Sequence, residues 1–323
     1  MKKILHLLST GFILLCFVGT MVPGNVLADS DFQRWVKAFY PKAKAAGISR
    51  ATYDLAFAGV TEPDSRILEK ANYQAEFTTE IWDYLDTRIN PRRVEAGLEK
   101  GELYWQILQL IEKKLGVEPQ VLLAIWAMES NYGAIFERPE RLFSVISALA
   151  TLAYGDKKRK KFGESQLIAA LQILQAGDIA VERMNGSWAG AMGHTQFIPT
   201  SYLAYGVDMD GDGRRDIWDS IPDALATAAN LLRKNGWQTG RTWGYEVKGP
   251  AGAAKLADQS KTLEQWQQLG FVRVGSRPFP RPGDKAVLKV LGGENGPLFL
   301  MVKNFFVLKR YNNSDFYALS VGL

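Results

Sequence analysis

The sequence predicts an α+β protein, mainly helical, with a helical body over about residues 29–240 and a β-rich part over about 241–323. Two observations carry this. Through the first two thirds, apolar residues recur at helical spacing between capping residues and glycine stops. In the last third, short alternating or apolar runs are separated by turn signals at Gly249-Pro250, at 278–283 and at Gly292-Gly293. No internal repeat appears, and no linker sets off a further C-terminal module.

Taken in order, residues 31–46 place Phe32, Trp35, Val36 and Phe39 on one face, with Pro41 expected to kink or end the helix. A second helix, 49–57, opens on the cap-like Ser49, and a third, 71–89, stops before Pro91. Leu103, Ile107, Ile111 and Leu115 give a helix over 102–115, ended by Gly116. Residues 118–130 open with Pro119 in the first turn, where a missing N–H costs nothing. Helices are also expected over 141–154, 164–175 and 220–235. Beyond them, 243–248, 285–291, 298–302, 305–310 and 316–321 read as strands of a mostly antiparallel sheet, with one short helix at 261–269.

Residues 1–28 have the form of a signal peptide: Lys2 and Lys3, an apolar run over 4–18, and the small-residue site Val26-Leu27-Ala28. The run is short for a membrane span, so export is expected, with an uncleaved N-terminal anchor as the alternative. Bulky Leu15 before Cys16 does not favour lipidation. Cleavage removes His6 and Cys16 and leaves one histidine, His194, and no cysteine. That excludes disulfides, thiol nucleophiles, cysteine–metal sites and any site needing two histidines. The formal charge of +5 is too weak to suggest nucleic acid. Aromatic residues make up 11% of the chain, which suits stacking on sugars as well as an aromatic core.

Three segments could carry chemistry. Residues 121–128 are all apolar, and Glu129 follows at the C-terminal end of that helix. Desolvation and the negative helix end both disfavour a charged carboxylate there, and a protonated Glu near neutral pH is what a general acid requires. The second segment, 186–199, interleaves Ser187, His194, Thr195 and Gln196 with glycines that permit close backbone approach; a tight loop-to-helix joint reads the same way. The third, Asp208-Met209-Asp210-Gly211-Asp212-Gly213-Arg214-Arg215-Asp216, matches an EF-hand-type calcium loop. Asp208, Asp210 and Asp212 supply carboxylates, Arg214 a carbonyl, and Asp216 falls where a ligand acts through water. Position twelve is Asp219 instead of Glu, so either Asp219 or Asp223 would close the loop.

The segment from Glu129 to Gly133, the stretch 187–197, the Asp208 loop and Tyr311-Asn312-Asn313-Ser314 occur in that order, and together the chain resembles the lytic murein transglycosylases of the B type, periplasmic peptidoglycan-cleaving enzymes. The resemblance covers roughly residues 32–321. It implies a lysozyme-like core with an additional α domain and a small β domain, C-terminal residues returning to the active site, and a structural Ca²⁺ in an EF-hand-like loop held by Asp208, Asp210, Asp212 and the Arg214 carbonyl. It makes Glu129 the single catalytic acid and base. It places Ser187 and Gln196 along the site, with Tyr84, Tyr311, Asn312 and Tyr317 as further substrate-binding residues. Leu231 stands where a family member has a substrate-contacting tyrosine. The implied partner is the glycan strand of peptidoglycan, with other cell-wall enzymes as candidates, acted on by a periplasmic monomer needing no catalytic cofactor. A lysozyme-type hydrolase and a non-catalytic peptidoglycan-binding protein are the alternatives.

Overall fold

A computed structural model describes residues 30–73, 80–293 and 296–323. The expected leader lies outside the described residues, as do 74–79 of the expected helix 71–89. The body contains α1 (Asp31–Ala45), α2 (Arg50–Phe57), α3 (Ser65–Asn72), α4 (Ile81–Arg88), α5 (Pro91–Leu103), α6 (Trp105–Leu115), α7 (Pro119–Ser130), α8 (Val145–Gly155), α9 (Lys160–Ala176), α10 (Pro199–Tyr205) and α11 (Ile221–Lys234). Between α7 and α10, β1 (Phe143–Ser144) pairs antiparallel with β2 (Asn185–Gly186).

Side-chain caps set many of the helix starts. Ser30, Ser49, Asp64, Asn90, Ser144 and Ser220 each accept a backbone N–H from the first turn that follows them. Helix α1 runs through Pro41 instead of ending there. The expected helix 102–115 begins at Trp105, because Tyr104 (φ −106°, ψ 18°) leaves helical geometry and separates α5 from α6. Helix α5 has no buried residue, so it carried no apolar stripe to read.

The last third holds a five-stranded antiparallel sheet of order β4-β6-β7-β3-β5, built from β3 (Gly244–Lys248), β4 (Ser260–Thr262), β5 (Val272–Arg273), β6 (Lys285–Val290) and β7 (Leu298–Met301). Strand β7 is buried on both faces: Phe299 and Met301 join the helical core, while Leu300 joins a second core around Trp266, Phe271 and Leu288. The expected short helix is α12 (Leu263–Gln268), opened by a Thr262–Gln265 capping box.

Two expected strands are helices. Residues 305–310 lie in α13 (Lys303–Tyr311) and 316–321 in α14 (Asp315–Gly322). In α13 the buried residues are Asn304, Phe305, Val307 and Leu308, a helical stripe where a strand would bury alternate positions. Helix α14 buries five consecutive residues, Tyr317 to Val321, between α7, α4 and α13. A run buried all round has no period, so alternation was never there to test.

Candidate active site

Helix α7 is apolar almost throughout, and Leu122, Ile125, Trp126 and Ala127 are buried. Its last turn delivers Glu129 to the wall of a groove, while the buried face of the helix anchors it in the core. Beyond Ser130 the chain reverses through three left-handed residues, Asn131 (φ 51°), Tyr132 (φ 57°) and Gly133 (φ 90°). Asn tolerates that region, and Tyr does so only at a cost. Other contacts hold it: the Tyr132 hydroxyl donates to the Arg93 carbonyl at 3.2 Å, and the Ser130 hydroxyl donates to the His194 carbonyl at 2.7 Å and accepts from Gly133 N–H. A Cβ on Gly133 would lie 2.4 Å from His194 Cε1, so the turn and the histidine are packed face to face.

Glu129 is half-buried, and its Oε1 accepts a 2.6 Å hydrogen bond from the Tyr317 hydroxyl of α14. Burial pushes its carboxyl up to about 7; the Tyr317 bond and the charge of Arg88 oppose that shift without cancelling it. Tyr317 is stacked on Tyr311 with ring centroids 6.2 Å apart, and the Tyr311 hydroxyl donates to the Thr195 carbonyl at 2.6 Å. Burial and the charge of Glu129 raise both phenols well above their ordinary value, so they stay protonated donors. Tyr84 packs against Phe316 of the same C-terminal segment, and the Arg88 guanidinium lies 5.3 Å from the Tyr84 ring centroid.

The loop 186–197 reaches this centre through His194 and Thr195. Its sides are joined by reciprocal Met192–Phe197 backbone hydrogen bonds, and Phe197 packs edge-on to Tyr311. Ser187 is half-buried and its hydroxyl accepts Ala189 and Ala191 N–H; the Gln196 amide donates to the Gly193 carbonyl at 2.9 Å. Both therefore brace the loop, and neither is bonded to Glu129 among the described residues. Asn312 is exposed at the end of α13, and Leu231 is buried in the core.

Burial keeps the His194 imidazole uncharged at neutral pH. Its Nδ1 accepts the Trp126 indole N–H at 3.1 Å, and burial lowers its pKa to about 4. Its role is to join the loop to the turn after Glu129.

The structure draws together carboxylate oxygens of Asp208, Asp210 and Asp212 within 4.8 Å of one another, all on exposed residues. The turn is set by its own backbone: Asp208 accepts Gly211 and Gly213 N–H, Asp210 accepts Asp212 N–H, and Asp212 accepts Arg214 N–H. Asp219 is ion-paired with Arg183. Asp223 is fully buried and accepts the N–H groups of Met209, Asp210 and Asp216. Asp219 thus faces Arg183, while Asp223 holds the backbone of the acidic loop itself.

Sequence reasoning passed over four arginines. A groove of about 370 Å³ beside Glu129 is lined by Arg88, Arg93, Arg138 and Arg141, together with Ile135 and Glu137. They come from three separate segments, and each alone reads as an ordinary surface charge.

A helical body that holds one raised carboxyl in such a groove matches a known class: the model of the transglycosylase SLT domain family covers residues 31–323. The chain belongs to this family, among the lytic murein transglycosylases of the B type. It is 30% identical over 234 residues to membrane-bound lytic murein transglycosylase B of Escherichia coli K12, a match covering 72% of this chain and 63% of that relative's length. It superposes on SltB3 from Pseudomonas aeruginosa, in complex with NAG-anhNAM-pentapeptide, with a TM-score of 0.86 at 45% identity, covering 91% of this chain and 78% of that one. Slt35 of Escherichia coli, in complex with calcium, shares the fold with a TM-score of 0.75 at 24% identity, over 92% of each chain.

Proposed function

We propose that this chain is a lytic transglycosylase that cleaves the β-1,4 bond between N-acetylmuramic acid and N-acetylglucosamine and leaves 1,6-anhydromuramoyl ends. The observation that carries the reading is the single carboxyl of Glu129, held near neutrality in a groove by burial and touched by Tyr317. Protonated Glu129 gives its proton to the leaving glycosidic oxygen while an oxocarbenium-like state develops on the muramoyl ring. The resulting carboxylate then takes the proton of the muramoyl C6 hydroxyl, which attacks C1 and closes the anhydro ring. Tyr317, bonded to Oε1, holds the carboxyl in place and steadies its charged form between the two steps.

One carboxyl suffices because the substrate supplies its own nucleophile. A retaining hydrolase needs a second carboxyl about 5–5.5 Å away. Glu137 also lines the groove, so the product, and not the number of carboxyls, separates the transglycosylase from the hydrolase.

The decisive experiment is mass analysis of fragments released from purified peptidoglycan. Anhydro ends are one water lighter than hydrolysed ends, and the expected product is the lighter one. Only reducing ends would make the protein a hydrolase. Glu129→Gln is expected to abolish turnover while glycan binding survives; a wild type that binds but never cleaves would make it a binding protein.

The same reading takes Asp208, Asp210, Asp212 and the Arg214 carbonyl as holders of a Ca²⁺. Three clustered hard oxygen donors suit that ion, which would brace the loop and take no part in the chemistry. The leader at 1–28 supports export to the periplasm, cleaved or retained as an anchor. No helix among the described residues is long and apolar enough to cross a membrane.

A further inference from the structure

Helix α14 brings Tyr317 to Glu129, yet the burial that holds this helix is not directional. Something polar must fix how its first turn faces. The first residue of α14, Asp315, does not cap it; Ser314 already accepts the Tyr317 N–H. The Asp315 carboxylate turns instead to two other elements. Its Oδ2 lies 3.2 Å from Lys289 Nζ of β6, and its Oδ1 lies 2.6 Å from Lys309 Nζ of α13. Lys289 also meets Asp258 at 2.7 Å. Lys289, Lys309 and Asp315 are all half-buried. Burial pushes the Asp315 carboxyl up, and the two lysines more than offset it, so it stays charged. One carboxylate thus ties the first turn of α14 to the last turn of α13 and to the sheet. Those two turns hold the stacked rings of Tyr317 and Tyr311, and Phe316 between Asp315 and Tyr317 packs on Tyr84. Ion pairs that are partly exposed add little to stability, but charges from three elements meeting at one helix end set its rotation.

We infer that Asp315 is a positioning residue for the proposed reaction: held by Lys289 and Lys309, it fixes the turn of α14 that brings the Tyr317 hydroxyl onto Glu129. The inference deepens the proposed function and rests on it. Two effects of losing Asp315 have opposite signs at Glu129. Removing a negative charge favours the charged carboxylate, whereas losing the Tyr317 bond favours the protonated acid. The direction of the change therefore tells which one operates. The other groups that face Glu129 stay in place: Tyr311 from α13, Arg88 from α4, Arg93 from α5, Glu137, Arg138 and Arg141 beyond α7, and uncharged His194 behind Ser130. Those that face Asp315 are Lys289, Lys309 and, across the cleft they border, Asp258 and Glu80.

The test follows kcat, KM and the pH profile of kcat/KM on purified peptidoglycan fragments. The proteins are wild type, Asp315→Asn, Asp315→Glu, Tyr317→Phe and the double variant Asp315→Asn/Tyr317→Phe. Asp315→Asn is expected to lower kcat by about tenfold, the scale of one charge-assisted hydrogen bond, with KM little changed. Its alkaline limb should move to higher pH by about 0.5–1, in the same direction as that of Tyr317→Phe. Asp315→Glu should recover part of both. The double variant should match Tyr317→Phe alone, because Asp315 acts only through that hydroxyl. Melting curves show which variants are folded; if Asp315→Asn is not, Lys309→Met takes its place with the same expected changes.

A wild-type pH profile in Asp315→Asn, a limb that moves to lower pH, or losses that add in the double variant would each overturn the inference and leave the proposed function standing. If wild type cleaves no peptidoglycan, the proposed function fails. The link from Asp315 to Glu129 is then judged by NMR titration of the Glu129 carboxyl in wild type and Asp315→Asn, and equal midpoints reject it.

Discussion

At the scale of residues, two half-buried titratable groups pull stability in opposite directions with pH. The carboxyl of Glu129 titrates near 7 in the fold against an ordinary 4.5. A carboxyl raised by folding costs nothing at low pH, and its cost grows as pH climbs through the raised value. A fully dry group with that gap would cost roughly 3 kcal/mol above pH 7; Glu129 is half-buried, so about 1–3 kcal/mol is expected. Glu129→Gln should therefore stabilise the protein at pH 8 and change little at pH 4, as read by denaturant unfolding at both. His194, lowered to about 4 from 6.5, does the reverse. Its neutral form supports the fold above about 6.5, and that support is lost as pH falls towards 4. The same proton on Glu129 sets activity. As the acid of the first step it must be protonated in the free enzyme, so kcat/KM should fall as pH rises past about 7. A profile flat from about pH 6 to 9 would contradict that role. Glu129 was legible in the sequence because a lone acid ends an apolar helix. Its partner Tyr317 lies 188 residues away, and only the family resemblance pointed to it.

At the scale of elements, legibility followed the number of buried faces. Helix α11 has an apolar stripe, a Ser220 cap and a basic last turn, and sequence reasoning placed it within one residue at each end. Helix α13 is short and follows the true strand β7, so its few apolar residues were read as strand although they form a helical stripe, while in α14 burial on several sides had erased the period. The four groove arginines escaped for another reason: charge carries no period, and only packing of α4 and α5 beside the turns after α7 gathers them. Helices α8 and α9 form a close pair whose contact depends on one glycine. A Cβ on Gly163 would lie 2.5 Å from the Ala153 nitrogen, 2.9 Å from its Cα and 3.0 Å from the Leu149 carbonyl oxygen. These are backbone atoms, which cannot rotate away. Gly163→Ala should force the helices apart at a cost of about 1–3 kcal/mol, despite the better helix propensity of alanine. A urea midpoint equal to that of wild type would show that the pair yields more easily than its packing implies.

At the scale of the whole molecule, the acidic loop and the carboxyl of Glu129 are linked by a continuous set of hydrogen bonds. Asp223 of α11 holds Met209, Asp210 and Asp216 N–H; Asp216 holds Trp218 and Asp219 N–H; Ile217 accepts His194 N–H; and the His194 carbonyl accepts the Ser130 hydroxyl beside Glu129. Most of this frame is backbone held by the buried side chains of Asp216 and Asp223. An ion bound by the exposed Asp208, Asp210 and Asp212 would stabilise the frame from outside by mass action. At one hundred times its dissociation constant that contribution is about 2.7 kcal/mol, worth several degrees in a chain of this size. Chelator should therefore lower Tm and added Ca²⁺ restore it, while Asp212→Asn should blunt the response. Because the carboxylates of Asp208, Asp210 and Asp212 are not members of this chain of bonds, kcat well below the melting temperature should change little on chelation. A melting curve indifferent to both chelator and Ca²⁺ would mean that the loop is a solvated acidic turn. A loss of kcat at temperatures where the protein stays folded would mean that the frame transmits the ion to Glu129 after all.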